Sequence, residues 1–221
     1  NQCQLQEELI EFIKSTQKEE YDKLYKQFDT STDKQLSKIV NDQISKRGII
    51  DVLRKGISTR GCSFDMVYFE PKSGLNPEHQ SKFEKNRFVS VRQLHYSNKN
   101  ENSIDLVLFL NGIPIITMEL KNQLTGQNIK NSENQYKYDR NPTGEQLLQF
   151  KRCLVHFCVD NDKVSMTTRL SGNKTRFLPY NKGIENPSVK DDFRSEYLWN
   201  EILLPNSLLD IIENFVLVSV E

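Results

Sequence analysis

Apolar residues in the first quarter of the chain recur at helical separations. Leu9, Ile10, Ile13, Leu24, Leu36, Ile39 and Ile50 are set among Glu, Lys and Gln between Leu5 and about Lys55, which predicts two or three amphipathic helices. From Ser63 the pattern shortens to β-prone runs: Phe64 to Phe69, Phe88 to Leu94, Ile104 to Leu110 and Ile113 to Leu120. They are bounded by Pro71, Gly74, Pro77, Asn98 and the Asn111-Gly112 pair. Two further runs, Leu154 to Val159 and Lys163 to Leu170, flank Asp160-Asn161-Asp162 and predict a second hairpin. Gln127 to Tyr138 has helical composition, and Gly172 to Ser188 is polar with Pro and Gly, as in an exposed loop. Ser195 to Val218 carries an apolar helical stripe interrupted at Pro205. This order predicts one mixed α/β domain over residues 1–221, with a central mixed sheet flanked by helices. Its expected parts are a helical 1–60, a core at 61–182 and a helical 183–221.

With 36% hydrophobic and 10% aromatic residues, 221 residues suffice for a sizeable core. No stretch approaches the ~20 apolar residues of a membrane-spanning helix. Asn1 to Glu8 lack the basic start and apolar stretch of a secretory signal, so a cytoplasmic location without a membrane partner is expected. Cys3, Cys62, Cys153 and Cys158 have no zinc-type spacing, and the last two sit in an apolar run where reduced cysteine is a small buried hydrophobe. Net charge is zero, but residues 121–182 hold 11 basic against 5 acidic side chains, and 183–221 hold 2 against 8. The basic excess suits a phosphate backbone or an ordinary solvated face.

The stretch from Ser103 to Asn122 holds the candidate chemistry. Asp105 begins one apolar strand, and Glu119 and Lys121 end the next, in surroundings where an ionised group is costly unless paired or metal-bound. Two carboxylates can hold one or two Mg²⁺ ions, with Mn²⁺ able to substitute and the Leu120 carbonyl as a further hard ligand. Lys121 falls on the same strand face as Glu119, suited to orienting a water or stabilising charge on a phosphate. The competing reading has Asp105 and Lys121 as strand-end surface charges and Glu119 paired with a basic neighbour. Asp65, Glu70 and Lys72 form a rival set, but Pro71 ends the strand that would present them.

Parity constrains this site. A two-residue turn at Asn111-Gly112 pairs Asp105 with Met118 and sends Glu119 to the opposite face. A three-residue loop, Asn111 to Ile113, sets Asp105 opposite Glu119. The chemistry therefore requires a loop or bulge that restores parity.

Asp105, thirteen intervening residues and Glu119-Leu-Lys-Asn122 closely resemble the PD-(D/E)xK nuclease core. Arg92-Gln-Leu-His-Tyr-Ser97, Asn98 to Asn102, Ile104 to Gly112, Leu124-Thr-Gly-Gln127, Gln135-Tyr136, Asp139-Arg140, Arg152 to Phe157 and Phe177 to Gly183 look like the N-terminal region of the R subunit of type I restriction-modification enzymes. The resemblance covers about Phe12 to Phe215. It implies a restriction-endonuclease-like core, Mg²⁺-dependent cleavage of double-stranded DNA, Asp105 and Glu119 as metal ligands and Lys121 as the catalytic lysine. It also implies a longer parent with an ATP-driven motor, and methyltransferase and specificity subunits as partners. The family's proline before the first aspartate is Ile104 here. Its Gln-x-x-x-Tyr element has two candidates: Gln146 with Phe150, and Gln135-Tyr136 with altered spacing. Among Glu7, Glu8 and Glu11, none is singled out as an additional acid from an early helix.

For the remaining residues the plain reading leads. Arg92, Arg140 and Arg152 can touch phosphates but read first as surface or salt-bridging arginines. His95 and His156 read as satisfied core histidines and Trp199 as core. The competing function is a catalytically silent module that holds DNA or docks partner subunits.

Overall fold

The structure, a computed structural model, describes residues 3–190 and 192–218. The chain forms two compact units. A sheet unit comprises 90–108 and 114–204, and a helical unit comprises 3–89, 109–113 and 205–218.

In the helical unit the predicted periodicity becomes four helices: α1 (Gln6–Thr16), α2 (Lys18–Phe28), α3 (Thr32–Arg47) and α4 (Ile49–Lys55). Leu9 and Ile13 from α1, Leu24 from α2, Leu36, Val40 and Ile44 from α3 and Val52 from α4 are fully or almost fully buried. Their i, i+4 spacing makes the buried stripe. Gly48, at φ +84, ends α3 and lets α4 start at once. A hairpin follows, β1 (Ile57–Thr59) against β2 (Cys62–Phe64), and then α5 (Pro77–Phe83), with Pro77 in its first turn and Asn76 capping His79 N.

The strand expected over Phe64 to Phe69 stops at Phe64. Beyond it side-chain amides take the place of a neighbouring strand. Gln17 brackets the N–H and C=O of Asp65 at 2.6 and 2.9 Å, Asn86 does the same for Tyr68 at 3.2 and 2.6 Å, and Asn111 Nδ2 donates to Met66 O at 2.9 Å. The backbone is thereby satisfied without a ladder. At the C-terminal side a π-type turn at Leu198–Ile202 ends before Pro205, which opens α7 (Pro205–Asp210), so the helical stretch breaks at Pro205 as expected; α7 continues into a wide turn at Ile211–Phe215. Arg54 ties this segment down through Ile212 O (2.7 Å) and Val216 O (2.9 Å).

The sheet has six strands in the order β3 (Phe88–His95), β4 (Ser103–Leu110), β5 (Ile113–Leu120), β6 (Val155–Val159), β7 (Val164–Thr167) and β8 (Leu178–Pro179). The expected β6–β7 hairpin forms with Cys158 opposite Ser165, and β8 adds the edge inside the segment expected to be a loop. β5 and β6 are parallel, with Thr117 opposite His156 and Glu119 opposite Cys158. A parallel pair needs a long crossover, and this one carries α6 (Ile129–Asn134) and a π-type turn at Gln135–Asp139. Asp160 fixes the crossover to the sheet. Its Oδ2 accepts from Ile129 N, at the start of α6, and its Oδ1 accepts from Asp162 N and Lys163 N in the β6–β7 turn. Among the described residues no helix is long and apolar enough to cross a membrane, and the four cysteines are buried.

Candidate active site

Asp105, Glu119 and Lys121 come together in the sheet unit, and of the two expected routes, a three-residue loop or a bulge, the loop does not form. Asn111 and Gly112 form a two-residue turn with both φ values positive, +49 and +77. The turn is fixed in the helical unit: Asn111 is buried and accepts from Arg87 N, and Gly112 O accepts from Leu5 N. From such a turn an unbroken register would place Asp105 opposite Met118. Asp105 and Glu119 nevertheless meet, and the alternation of the strands is broken beside them. Along β4, Ile104 and Val107 are both buried with the half-buried Asp105 and Leu106 between them, so the alternation slips by one at the aspartate. Beside it in β3, Arg92 and Gln93 are consecutively exposed, and Gln93 has φ +50. Such a φ on a residue with a Cβ inside a strand marks a bulge.

The result is a carboxylate gripped on both oxygens. Asp105 Oδ1 accepts from Gln93 Nε2 at 2.9 Å, Oδ2 accepts from Leu120 N at 2.9 Å, and Lys121 Nζ stands 3.7 Å from Oδ2. Lys121 is held in line because its own N–H continues the β5–β6 pairing onto Val159 O. Burial works to raise the Asp105 pKa, but the Leu120 N–H, the Glu119 carboxyl, the Gln93 amide and Lys121 outweigh it. The group stays below the usual carboxylate value.

Glu119 has the opposite balance. It is completely inaccessible to solvent, and burial pushes its pKa up to about 8. The Arg140 guanidinium opposes the rise and the Asp105 carboxylate reinforces it. Arg140 Nε donates to Glu119 Oε1 at 2.9 Å, while Oε2 is buried and has no hydrogen-bond donor. Two ionised carboxylates are acceptors only, so a shared proton or a cation is what satisfies this pair.

The other expected residues divide. Arg140 is buried, 7% exposed, and is the partner of Glu119, so of its two expected readings, surface or salt-bridging, the second is the one seen. Its position follows from the π-type turn, closed by Arg140 N on Gln135 O. Gln135 carries a buried side-chain oxygen with no donor. Tyr136 is fully buried, which fits a supporting place beside the site. Its hydroxyl meets Thr117 Oγ1 at 2.7 Å, which in turn meets His156 Nδ1 at 2.6 Å, supporting β5 two residues before Glu119. His156 is a core histidine whose pKa burial lowers to about 4. His95, expected in the core, is exposed and lies 3.9 Å from Glu101. Arg152 is buried, and Trp199 is half-buried.

Gln146 lies in the turn Gln146–Leu148. The adjacent Leu147 O and Pro114 O both accept from Cys153 Sγ, so Gln146 belongs with the beginning of β5 and not with its Glu119 end. Arg92 is the exposed neighbour of Gln93. Glu8 and Glu11 pair with Arg87, and Glu7 lines an open groove of about 510 Å³ with Lys14 and Asp33, all within the helical unit. The rival residues Asp65, Glu70 and Lys72 line another groove of that unit, with His79 and Glu213.

Gln93 was not foreseen, because nothing in a β-prone run announces a left-handed residue. Among the described residues no group of three His, Cys, Asp or Glu side chains is placed to hold a metal. The donors present are two carboxylates and main-chain oxygen. That set, with the donorless Glu119 Oε2, fits a hard, oxygen-preferring divalent cation and not a soft one.

Comparison with known proteins gives the family of the chain. Residues 4–175, well over half of the chain, match the family described as Type I restriction enzyme R protein N terminus. A relative is the type I restriction enzyme HindI endonuclease subunit of Haemophilus influenzae, 33% identical over 138 residues. The match covers 60% of this chain and 13% of the length of that relative. The chain thus belongs to the family of type I restriction enzyme R protein N-terminal regions.

Proposed function

We propose that this region is a metal-dependent endonuclease that hydrolyses phosphodiester bonds of double-stranded DNA, with Asp105, Glu119 and Lys121 as its working residues. The observation that carries the reading is the buried, donorless Oε2 of Glu119 beside a carboxylate that stays ionised. Nothing in strand packing calls for that arrangement, whose desolvation is costly.

Asp105 and Glu119 would hold Mg²⁺ or Mn²⁺, with the carbonyl of Leu120, whose N–H already faces Asp105, as a third donor. When bound, the ion supplies Lewis acidity toward a phosphoryl oxygen and lowers the pKa of a water. Arg140 occupies Glu119 Oε1 and so leaves one oxygen of that carboxylate for a ligand. The Lys121 ammonium, 13% exposed, is the cation at the edge of the pair. It can orient the attacking water and stabilise charge growing on the phosphate. The basic excess in 121–182 suits the duplex backbone. In the parent protein, ATP would serve a motor, and methyltransferase and specificity subunits would supply the recognised sequence.

A second reading, a catalytically silent module that holds DNA or docks partners, draws on the internal balance of the site. Arg140 faces Glu119 and Lys121 faces Asp105. Supercoiled plasmid decides between them. Wild type is expected to nick and linearise it with Mg²⁺ or Mn²⁺ and to stop with chelator, while Asp105→Ala and Lys121→Ala proteins fail. Unchanged cleavage by Lys121→Ala would falsify the lysine's role. Binding of Mn²⁺ by Asp105→Ala as tightly as by wild type favours the silent module.

A further inference from the structure

Asp105 is held by a side chain that the chemistry does not itself require. Gln93 is one of the few non-glycine residues at positive φ, and it sits inside β3. A left-handed conformation on a residue with a Cβ persists only where its surroundings over-determine it, and such residues gather where geometry serves function. Here the bulge turns the Gln93 carboxamide toward β4, where Nε2 donates to Asp105 Oδ1 at 2.9 Å and Oε1 accepts from Ser103 Oγ at 2.8 Å. The amide orientation is unambiguous. An ionised aspartate only accepts, so the NH₂ end must face it, and the Ser103 hydroxyl is free to rotate and donate to the other end.

We infer that Gln93 is the positioning residue for Asp105, orienting its carboxylate for a divalent cation. This rests on the metal-dependent reading of the site. With Oδ1 on Gln93 and Oδ2 on the Leu120 N–H, the plane of the carboxylate is fixed by one side chain and one main-chain group. Each oxygen keeps a lone pair for a ligand. A neutral amide suits this task where arginine would not, because it orients the carboxylate without cancelling the charge that attracts the cation. Partners of metal ligands act in this way, and their loss typically weakens metal binding about ten- to a hundredfold.

Backbone and side chain can be tested apart. Gln93→Gly removes the amide but adopts positive φ more readily than glutamine, so a purely structural role predicts unchanged or higher thermal stability and unchanged metal binding. Gln93→Asn also tolerates the left-handed conformation, and its shorter side chain falls short of Asp105. The measurement is Mn²⁺ affinity of the 221-residue chain by calorimetry, with Tm recorded alongside. The expected result is an affinity about tenfold or more weaker in both variants, without loss of Tm. Cleavage should recover as Mn²⁺ is raised. Wild-type affinity in either folded variant overturns the inference and leaves the nuclease reading intact. Absence of Mn²⁺ binding by wild type overturns both.

Discussion

Arg140 reaches Glu119 from the end of a π-type turn, placing its Nε 2.9 Å from Oε1 of a carboxylate with no exposure to solvent. The pair is buried on both sides, 8% and 0% exposed, and so is not the weak kind found at surfaces. It makes Glu119 tolerable where it stands. It also consumes one oxygen and leaves the other for a ligand.

Removing the guanidinium alone strands an acid in the interior. Arg140→Met is expected to lower unfolding free energy by about 3–5 kcal/mol above neutral pH, since breaking a buried pair from one side costs that much. Arg140→Met combined with Glu119→Leu should recover most of the loss, because both charges then leave together. Urea unfolding of the two singles and the double measures the coupling, and additive losses would show that the pair does not act as a unit.

The raised pKa of Glu119 gives a pH dependence of definite sign. Its value rises from the usual 4.5 to about 8 on folding, so the metal-free folded state binds the proton more tightly than the unfolded chain. The associated stability is complete below about pH 4.5 and is lost as pH climbs to about 8, a change on the order of a few kcal/mol. Asp105 works the other way, losing its contribution on acidification below its unfolded value of 3.8. Metal-free Tm is therefore expected to fall between pH 5 and pH 8 in wild type and to stay flatter in Glu119→Gln. Saturating Mg²⁺ should reverse the slope, since binding requires the ionised form. A metal-free profile for Glu119→Gln that matches wild type would remove Glu119 as the cause.

How far the sequence alone carried the site depends on the kind of signal. Asp105, Glu119 and Lys121 were legible because charges inside apolar strands break a pattern. Five of the six strands of the sheet were legible because period-2 runs bounded by Asn, Gly and Pro are local, while the two-residue β8 lay in a segment that reads as a loop. The bulge at Gln93 and the slip at Asp105 were not, because the sequence requires parity to be restored without saying where. Of the two routes to parity, a longer loop or a bulge, the loop at Asn111 is excluded by the buried hydrogen bonds of that asparagine. The segment from Asp65 to Phe69 read as a strand by composition, yet distant amides from Gln17, Asn86 and Asn111 satisfy its backbone, a long-range fact that no local pattern carries. For Arg140 a salt-bridging role was legible but its partner was not, because the π-type turn shifts the face that a regular helix would assign to it.

Tyr136 makes a further prediction about how β5 is held. Its hydroxyl joins Thr117 and His156 in a fully buried chain of polar groups. Tyr136→Phe removes one link, and the expected cost is about 1–3 kcal/mol for the polar group left short of a partner. Thr117→Val should cost a similar amount, and the double variant less than the sum. Because Thr117 lies two residues before Glu119 on the same strand face, Mn²⁺ affinity should weaken in parallel. Thermal unfolding with Mn²⁺ titration separates this from simple core damage, which would lower Tm and leave affinity unchanged.

The hairpin tip offers the sharpest contrast between two glycines. Gly112 and Gly126 share left-handed backbones, at φ +77 and +74, but differ in surroundings. A Cβ at Gly112 would lie 2.4 Å from Leu5 O and 2.6 Å from Leu9 N, main-chain atoms of the first helix and its approach, whereas one at Gly126 meets nothing within 4 Å. Gly126→Ala is therefore expected to cost only the conformational strain, about 1 kcal/mol. Gly112→Ala adds a backbone clash that the buried turn cannot relieve and should cost more than about 3 kcal/mol. The turn also sets where β5 begins, so shifting it would disturb the strand that carries Glu119 and Lys121. Gly112→Ala should then lose Mn²⁺ binding along with stability, and a Gly112→Ala protein as stable as Gly126→Ala would show that the close approach of Leu5 and Leu9 does not constrain the tip.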